Sequence, residues 1–274
     1  MKISIPTIGK YASLIAASIA VLLPLTALLF ASLKTGEEYA STSAFDPPRN
    51  WLNFANYLEA FDKGSMLQGF VNTTFIMLVS LAGTILIGTM AAYAVDRFDF
   101  RGKGAVLALF LLATLVPGVT TQVATFQIVN GLGLFNSPWA AIVLFAGTDI
   151  IAIYIFLQFM ATIPKALDEA ARIDGANHFV IYFRIILPLL KPAIATVIII
   201  KGIAIYNEFY IPFLYMPNPD LGVISTALFR FKGPFGAHWE LLSAGAILVM
   251  VPTLVMFLFL QRFIYRGLAA GSVK

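Results

Sequence analysis

The sequence predicts an all-α polytopic membrane protein: six transmembrane helices with a helix–turn–helix loop on one face of the bilayer. Three observations predict it. Of the 274 residues, 59% are hydrophobic and only 12% charged, with a mean hydropathy of +0.87. A soluble domain has too little core to hide that much apolar surface. The apolar residues fall into six runs, at about 11–33, 70–95, 105–129, 139–160, 193–214 and 241–260, each of the roughly 20-residue length that crosses a bilayer as a helix. The long charged interval between two of these runs, 163–192, has the composition of surface helices. We read the whole chain, 1–274, as a single transmembrane domain.

Taken in order, Met1 to Lys10 is a short basic start. The run 11–33 is longer than the apolar part of a secretory leader and no A-x-A site follows it, so it reads as a span. Residues 34–67 are polar, with Pro47-Pro48 and Trp51, and form a loop. The second span opens near Asn72-Thr73-Thr74 and ends at the short charged loop Asp96 to Lys103. Pro117-Gly118 should kink or break the third span, which a membrane tolerates where neighbouring helices or water satisfy the freed backbone. An uncharged turn, 131–138, leads to the fourth span. The fifth is followed by a loop, 215–240, holding Pro217, Pro219 and Pro234, and the sixth by a basic tail, 261–274.

Six spans put both termini on one side. With the termini inside, twelve Lys and Arg lie in inner segments and five outside (Lys34, Arg49, Lys63, Arg230 and Lys232), while Lys201 is intramembrane. The asymmetry places both termini, and the 163–188 loop, in the cytoplasm.

Within that loop Pro164 can open a helix, because the N–H it lacks has no partner in a first turn. Leu167, Ala170, Ala171 and Asp174 recur at helical spacing, and Asp168 and Arg172 form a favourably ordered i,i+4 pair. Gly175 supplies a stop that tolerates positive φ. A second helix is expected from Asn177 to Ile186, ended by Pro188. Ala170 and Ala171 give the first helix a small-residue face that another protein's backbone could approach closely.

Other chemistry is thin. Without cysteine there is no disulfide or thiolate site, and His178 and His238 have no ligand partner nearby in sequence, so no metal site is expected. There is no phosphate-binding G-x-x-x-x-G-K-[ST] stretch and no Ser-His-Asp grouping, so the chain reads as no enzyme. Three ionisable residues lie inside spans: Asp149, Lys201 and Glu208. Each costs about 2.5–3.5 kcal/mol to insert and so reads as functional by default. Lys201 and Glu208 are two helical turns apart, too far for a direct pair. The readings are an interhelical ion pair, such as Asp149 with Lys201, or a polar lining for a solute path. An ion-coupled secondary transporter using Asp149, Lys201 and Glu208 is the competing class; it would have no use for the cytoplasmic helix pair.

Glu169-Ala170-Ala171, Gly175, Ile185 and Leu187-Pro188 reproduce, in register, the EAA-x3-G-x9-I-x-LP loop of ATP-binding-cassette importer permeases. The chain resembles this family along nearly its whole length. Ser32-Leu33-Lys34-Thr35 and Asn56-Tyr57 are similar to the first loop of its oligosaccharide branch. Tyr206-Asn207-Glu208-Phe209 resembles that branch's W-N-E-F segment, with Tyr for Trp. The tail from Gln261 is similar to the C-terminus of the smaller permease of the maltose-transporter family.

The resemblance implies that Glu169, Ala170, Ala171, Asp174 and Gly175 dock into a separate ATPase, and that Gly267, Gly271 and Lys274 reach into the ATPase dimer. It implies a solute path near Tyr206, Asn207 and Glu208, with Gln122 and Asp149 as further candidates and Gln127 and Asn130 as weaker ones. An aromatic ring can stack on a sugar, and amide and carboxylate groups can bind its hydroxyls. The other reading of Asn207 and Glu208 is that they brace a broken helix. The implied partners are a second permease, two ATPase subunits, an extracytoplasmic solute-binding protein and a sugar, with no nucleic acid. ATP and Mg would sit on the ATPase, leaving no cofactor in this chain. The setting would be a bacterial or archaeal cell membrane. The EAA stretch occurs once, so a symmetric path needs a second copy from another chain.

Overall fold

The computed structural model describes residues 5–147, 149–233 and 236–272. It is helical throughout, apart from one short hairpin. Helix α1 is Ile5–Leu33, followed by α2, Gly36–Ser41, and α3, Ala55–Lys63. Helix α4, Met66–Arg97, is the longest uninterrupted helix before the C-terminal one. Of the six expected spans, those at 11–33, 70–95 and 241–260 fall in single helices long and apolar enough to cross a bilayer: Gly9–Leu33, Met66–Arg97 and Trp239–Leu258.

The other three expected spans are interrupted. The third divides into α5, Lys103–Thr114, and α6, Gln122–Gly131, on either side of Pro117-Gly118. The fourth divides into α7, Pro138–Ala146, and α8, Ile150–Met160, bent by 40°. The 163–188 stretch follows as α9, Ala166–Ile173, then α10, His178–Ile181, a π-helical turn, Tyr182–Ile186, and α11, Leu187–Leu189. After a 69° bend comes α12, Lys191–Asn207, and the fifth span continues after a break as α13, Tyr210–Tyr215. Counting each bent pair as one crossing gives up to five helices of spanning length among the described residues, with α5 as a shorter apolar helix.

The 215–240 interval, expected as loop, contains short helical turns at Pro219–Leu221 and Leu228–Phe231 and α14, Ile224–Ala227. It also holds an antiparallel pair, β1 (Lys232–Gly233) with β2 (Gly236–Ala237), in the register Lys232↔Ala237 and Gly233↔Gly236. Helix α15, Trp239–Ser272, closes the chain.

The chain divides into two compact units, Met1–Leu67 with Thr226–Leu254, and Gln68–Ser225 with Val255–Lys274. In the first, Leu14, Ile15, Ile19, Val21 and Leu22 of α1 are all more than half exposed, as expected of a helix whose solvent is lipid. The Ser32 to Thr35 and Asn56-Tyr57 segments meet there. Asn56 Nδ2 donates to the Ser32 and Lys34 carbonyls at 2.8 and 2.7 Å, and the Ser32 and Tyr57 hydroxyls are 2.7 Å apart. Lys34 is fully buried and donates to Thr42 Oγ1 and the Ser43 carbonyl. The loop after α1 is thereby a hydrogen-bonded cap and not a free tether.

In the second unit α4 approaches its neighbours through small residues. A Cβ on Gly83 would lie 2.8 Å from the Ala146 methyl, and one on Gly88 would lie 3.0 Å from the Phe156 ring. Without a hydrophobic force between helices in lipid, such close backbone approach carries the packing.

A candidate docking loop and polar path

The docking loop is built as two arms on one glycine. Helix α9 ends with the Gly175 N–H donating to the Arg172 carbonyl at 3.0 Å and the Ala176 N–H to the Ala171 carbonyl at 2.9 Å. This paired closure needs a left-handed residue between its strands, and Gly175 has φ +83°. The second arm starts at Asn177, whose Oδ1 accepts the Val180 N–H at 2.9 Å. Pro188, expected to end this arm, does not. The turn just before it widens to π spacing, Tyr182–Ile186, and the helix runs on to Leu189. A proline cannot donate to the carbonyl four residues back and its ring crowds it; the wider turn removes that conflict.

The first arm has an inner and an outer side. Leu167, Ala170 and Ile173 are exposed, Ile173 to 87%, as is Phe179 on the second arm. Ala171, expected beside Ala170 on the partner-facing side, turns inward instead. It is 8% exposed and packs in a core with Ala92, Tyr93, Met160, Ile163, Ile181 and Tyr182. One residue is about 100° of helix, so neighbouring alanines face different ways. Glu169 is exposed, and Asp174 caps the C-terminal end of α9 in the solvent.

The expected Asp168–Arg172 pair is replaced by a longer-range one. Asp168 is buried, and its Oδ2 lies 2.8 Å from Arg97 Nε at the end of α4. The same guanidinium donates to Asp96 Oδ2 at 2.6 Å and to the Ile163 carbonyl at 3.0 Å. One turn back on α4, the Tyr93 ring packs on Tyr182 with centroids 5.5 Å apart. Another turn back, the Thr89 hydroxyl lies 2.6 Å from that of Tyr182. Thr89, Tyr93 and Arg97 are spaced by four, so they form one stripe of α4, and this stripe holds both arms of the loop.

The three interrupted spans converge on two neighbouring cavities. One, of about 390 Å³, is lined by Thr114 and Val116 from the first break, Gly147 and Asp149 from the second, and Lys201 of α12. The other, of about 460 Å³, is lined by Gly118, Thr121, Gln122 and Thr125 from the first break, and by Glu208 and Tyr210 from the third. Leu144 lines both. Non-helical backbone at membrane depth is tolerated where it is buried in protein or lines a water-filled space, and discontinuous helices are a recurrent way to build a solute site.

The titratable groups at the breaks are engaged. Asp149 Oδ1 caps α8 by accepting the Ala152 N–H at 2.9 Å, and Oδ2 pairs with Lys201 Nζ. Glu208 Oε1 accepts the Tyr210 and Ile211 N–H groups at 2.9 and 3.3 Å, opening α13, and its carbonyl accepts the Ser225 hydroxyl. Gln122 Nε2 donates to the Tyr210 hydroxyl. Tyr206, expected to offer a ring to the solute, is buried at 7% exposure and lines neither cavity. Asn207 is exposed, with Nδ2 turned back on the Ile203 carbonyl at 2.9 Å. Tyr210, Thr121 and Thr125, absent from the sequence-based expectations, are polar groups of the larger cavity.

Residues 84–269 match the profile of a family described as binding-protein-dependent transport system inner membrane component. The chain belongs to that family. It is 33% identical over 256 residues to the melibiose/raffinose/stachyose import permease MelC of Bacillus subtilis, covering 92% of this chain and 91% of that one. It is 32% identical over 259 residues to the galactooligosaccharide transport permease GanQ of the same organism, covering 94% and 92%. It shares its fold with a chain of a bacterial ABC transporter involved in import of the acidic polysaccharide alginate, with a TM-score of 0.81 at 17% identity, covering 93% and 95%.

The protein is therefore an importer permease of the ATP-binding-cassette class, embedded in the inner membrane by several apolar helices. The ion-coupled alternative is not supported. Asp149 and Glu208 are committed to helix ends and, for Asp149, to Lys201. Of the tail residues, Gly267 and Gly271 lie on the α15 backbone, and Lys274 lies outside the described residues.

Proposed function

We propose that this permease forms half of the translocation path of a sugar or oligosaccharide importer and converts ATPase closure into opening of that path. The observation that carries the reading is the two-armed loop. One side is packed into the chain's own core, while Leu167, Ala170, Ile173 and Phe179 are left uncovered on the other. An exposed apolar face at the end of a membrane bundle fits a protein partner, and a second permease, two ATPase subunits and a solute-binding protein complete the machine. ATP and Mg belong to the ATPase in this reading, and the chain itself holds no cofactor.

Sugar as the cargo is supported by the relatives, which are melibiose/raffinose/stachyose and galactooligosaccharide permeases, and by the lining of the larger cavity. Hydroxyl, amide and carboxylate groups of Thr121, Gln122, Thr125, Glu208 and Tyr210 are spread among apolar side chains, a pattern suited to a hydroxyl-rich solute. Tyr206 and Asp149 act in this reading as braces, and Glu169, Asp174, Gly175 and the tail at Gly267, Gly271 and Lys274 as ATPase contacts. Both termini face the cytoplasm in this reading, which the basic-residue asymmetry favours.

The test is to co-express the chain with its partner permease and ATPase, reconstitute the complex with its binding protein, and screen melibiose, raffinose and galactooligosaccharides for stimulated ATP hydrolysis and uptake. Co-purification of the ATPase with sugar-stimulated hydrolysis is expected. Uptake driven by an ion gradient without ATP would overturn the reading.

A further inference from the structure

We propose that Arg97 is a positioning residue that fastens the docking loop to α4, so that a displacement of the loop moves the helix. The inference rests on the docking reading of the loop. The guanidinium touches three separate pieces of chain: Asp96 beside it on α4, the Ile163 carbonyl where the loop begins, and Asp168 in the loop's first helix. Its side chain and that of Asp168 are 4% and 5% exposed.

The tie to Asp168 has no substitute. Arg97 Nε is 2.8 Å from Oδ2 but off hydrogen-bond angle, and neither Asp168 oxygen accepts a hydrogen bond among the described residues. The carboxylate is thus a buried anion, and Arg97 is the cation in ion-pair contact with it among the described residues. Removing that cation leaves a charge that cannot stay in place, and the first arm must move to hydrate it. The second arm is held by a different part of the same stripe, through Tyr93 and Thr89 on Tyr182. Beside the apolar packing of Ala92 and Tyr93 with Ile163 and Ala171, Arg97 is the polar tie from α4 to both the start of the loop and α9.

The residue type follows from the task. A guanidinium offers five N–H donors in a rigid planar fork, which suits three partners in different directions. A lysine ammonium in the same place could keep the charge contact with Asp168 but not all three at once. Its position also follows from the helix: Arg97 is the last residue of α4, at the end of the Thr89–Tyr93–Arg97 stripe. A loop pushed from below would pivot about Gly175 unless α9 were fixed to something stiff, and the 32-residue α4 is that element.

The experiment uses the reconstituted permease pair with its ATPase and needs no sugar. A cysteine replacing Thr125, which lines the larger cavity, is the single thiol of this cysteine-free chain. Its labelling by a hydrophilic maleimide is compared without nucleotide and after trapping with ATP and vanadate. With Arg97 intact, trapping should change the labelling rate. In Arg97→Met the ATPase should still co-purify and still trap nucleotide, while the nucleotide-dependent change shrinks by about tenfold, within the range that coupling networks carry. Arg97→Lys should lie between.

Because Arg97→Met leaves Asp168 uncompensated, it could lose its fold. Arg97→Met combined with Asp168→Leu, made in an Asp96→Asn background so that no carboxylate is left without its partner, removes the charge cluster, which is commonly tolerated for stability, and should remain uncoupled because the tie to Ile163 is also gone. A full nucleotide-dependent change in this combined variant, or in Arg97→Met alone, overturns the role of Arg97 while leaving the docking reading intact. Loss of ATPase co-purification, or of any nucleotide effect, with Arg97 intact would instead sink the docking reading, and the proposal with it.

Discussion

Replacing Gly175 tests the docking loop with the fewest side effects, because its environment separates backbone strain from packing. A Cβ built there meets nothing within 4 Å, so no substitution clashes with a neighbour. What a substitution meets is the φ of +83° that the two closing hydrogen bonds of α9 demand. A left-handed conformation costs an ordinary L-residue about 1–2 kcal/mol, less for asparagine and toward ~3 kcal/mol for a β-branched residue. At about 1.4 kcal/mol per factor of ten, alanine should reduce the population of the formed turn by about five- to thirtyfold, and valine by about 100-fold.

The two arms would then lose their relative angle while the membrane helices stay intact. The expected order for ATPase retention and for ATP-driven uptake is Gly above Asn, Asn above Ala, and Ala above Val, with membrane insertion unchanged and the unfolding temperature of the chain falling in the same order. The assay is co-purification of the ATPase on the permease pair, followed by uptake in proteoliposomes. Full retention and full uptake in Gly175→Val would show that the angle between the arms does not matter, and the docking assignment would fall.

Three further perturbations separate roles that lie close together. Ala170→Trp should release the ATPase without affecting the chain, since Ala170 is exposed; Ala171→Trp should destabilise the chain itself by about 1–3 kcal/mol or more, since it overpacks a core, as a lowered unfolding temperature of the isolated permease would show. Lys201→Met should destabilise the chain toward the lower end of ~3–5 kcal/mol, because Lys201 keeps 25% of its side-chain surface; adding Asp149→Asn, which keeps the α8 cap, should restore thermal stability. Deleting Gly271 to Lys274 should weaken ATPase co-purification if the tail is a contact, and wild-type yield of the complex after the deletion would remove that assignment.

Much of this arrangement is legible in the sequence, and the misreadings have specific causes. Gly175 is readable because one residue type answers one backbone need. The Asp149–Lys201 pair is readable because an intramembrane charge must find a partner or a wet space. Glu208 bracing a break is readable for the same reason. Ala171 is misread because two adjacent alanines give no apolar pattern to say which faces the core. Asp168 is assigned to Arg172 by the local i,i+4 rule, whereas burial lets the distant Arg97 win: a buried carboxylate gains more from a desolvated cation than an exposed pair gains in water. Pro188 is misread as a stop because the widened turn just upstream, Tyr182–Ile186, lets the helix run past it to Leu189. Tyr206 is misread because the residue that reaches the cavity, Tyr210, lies beyond the break at Glu208, where the helical register restarts.

The positions of these features explain how one chain can join a soluble motor to a cavity. A single packed core runs from Ala171 in the docking loop through Ile181, Tyr182 and Ile186 to Ala152 and Phe156 of α8 and to Ala193 and Val197 of α12. Val197 is one turn from Lys201, and Ala152 is the residue whose N–H Asp149 caps. The core therefore stops where the charge pair and the smaller cavity begin. Close-packed interiors deform little and transmit displacement, whereas the three helix breaks around the cavities are where backbone direction can change. A push on α9 would thus move α8, α12 and the lower half of α4 as one body, and the motion would be taken up at Leu115 to Thr121, at the α7–α8 bend and at Glu208-Phe209. In the proposed function, stiffness lies between the motor and the path, and compliance lies at the path itself, which is the order a switch between inward- and outward-open states requires.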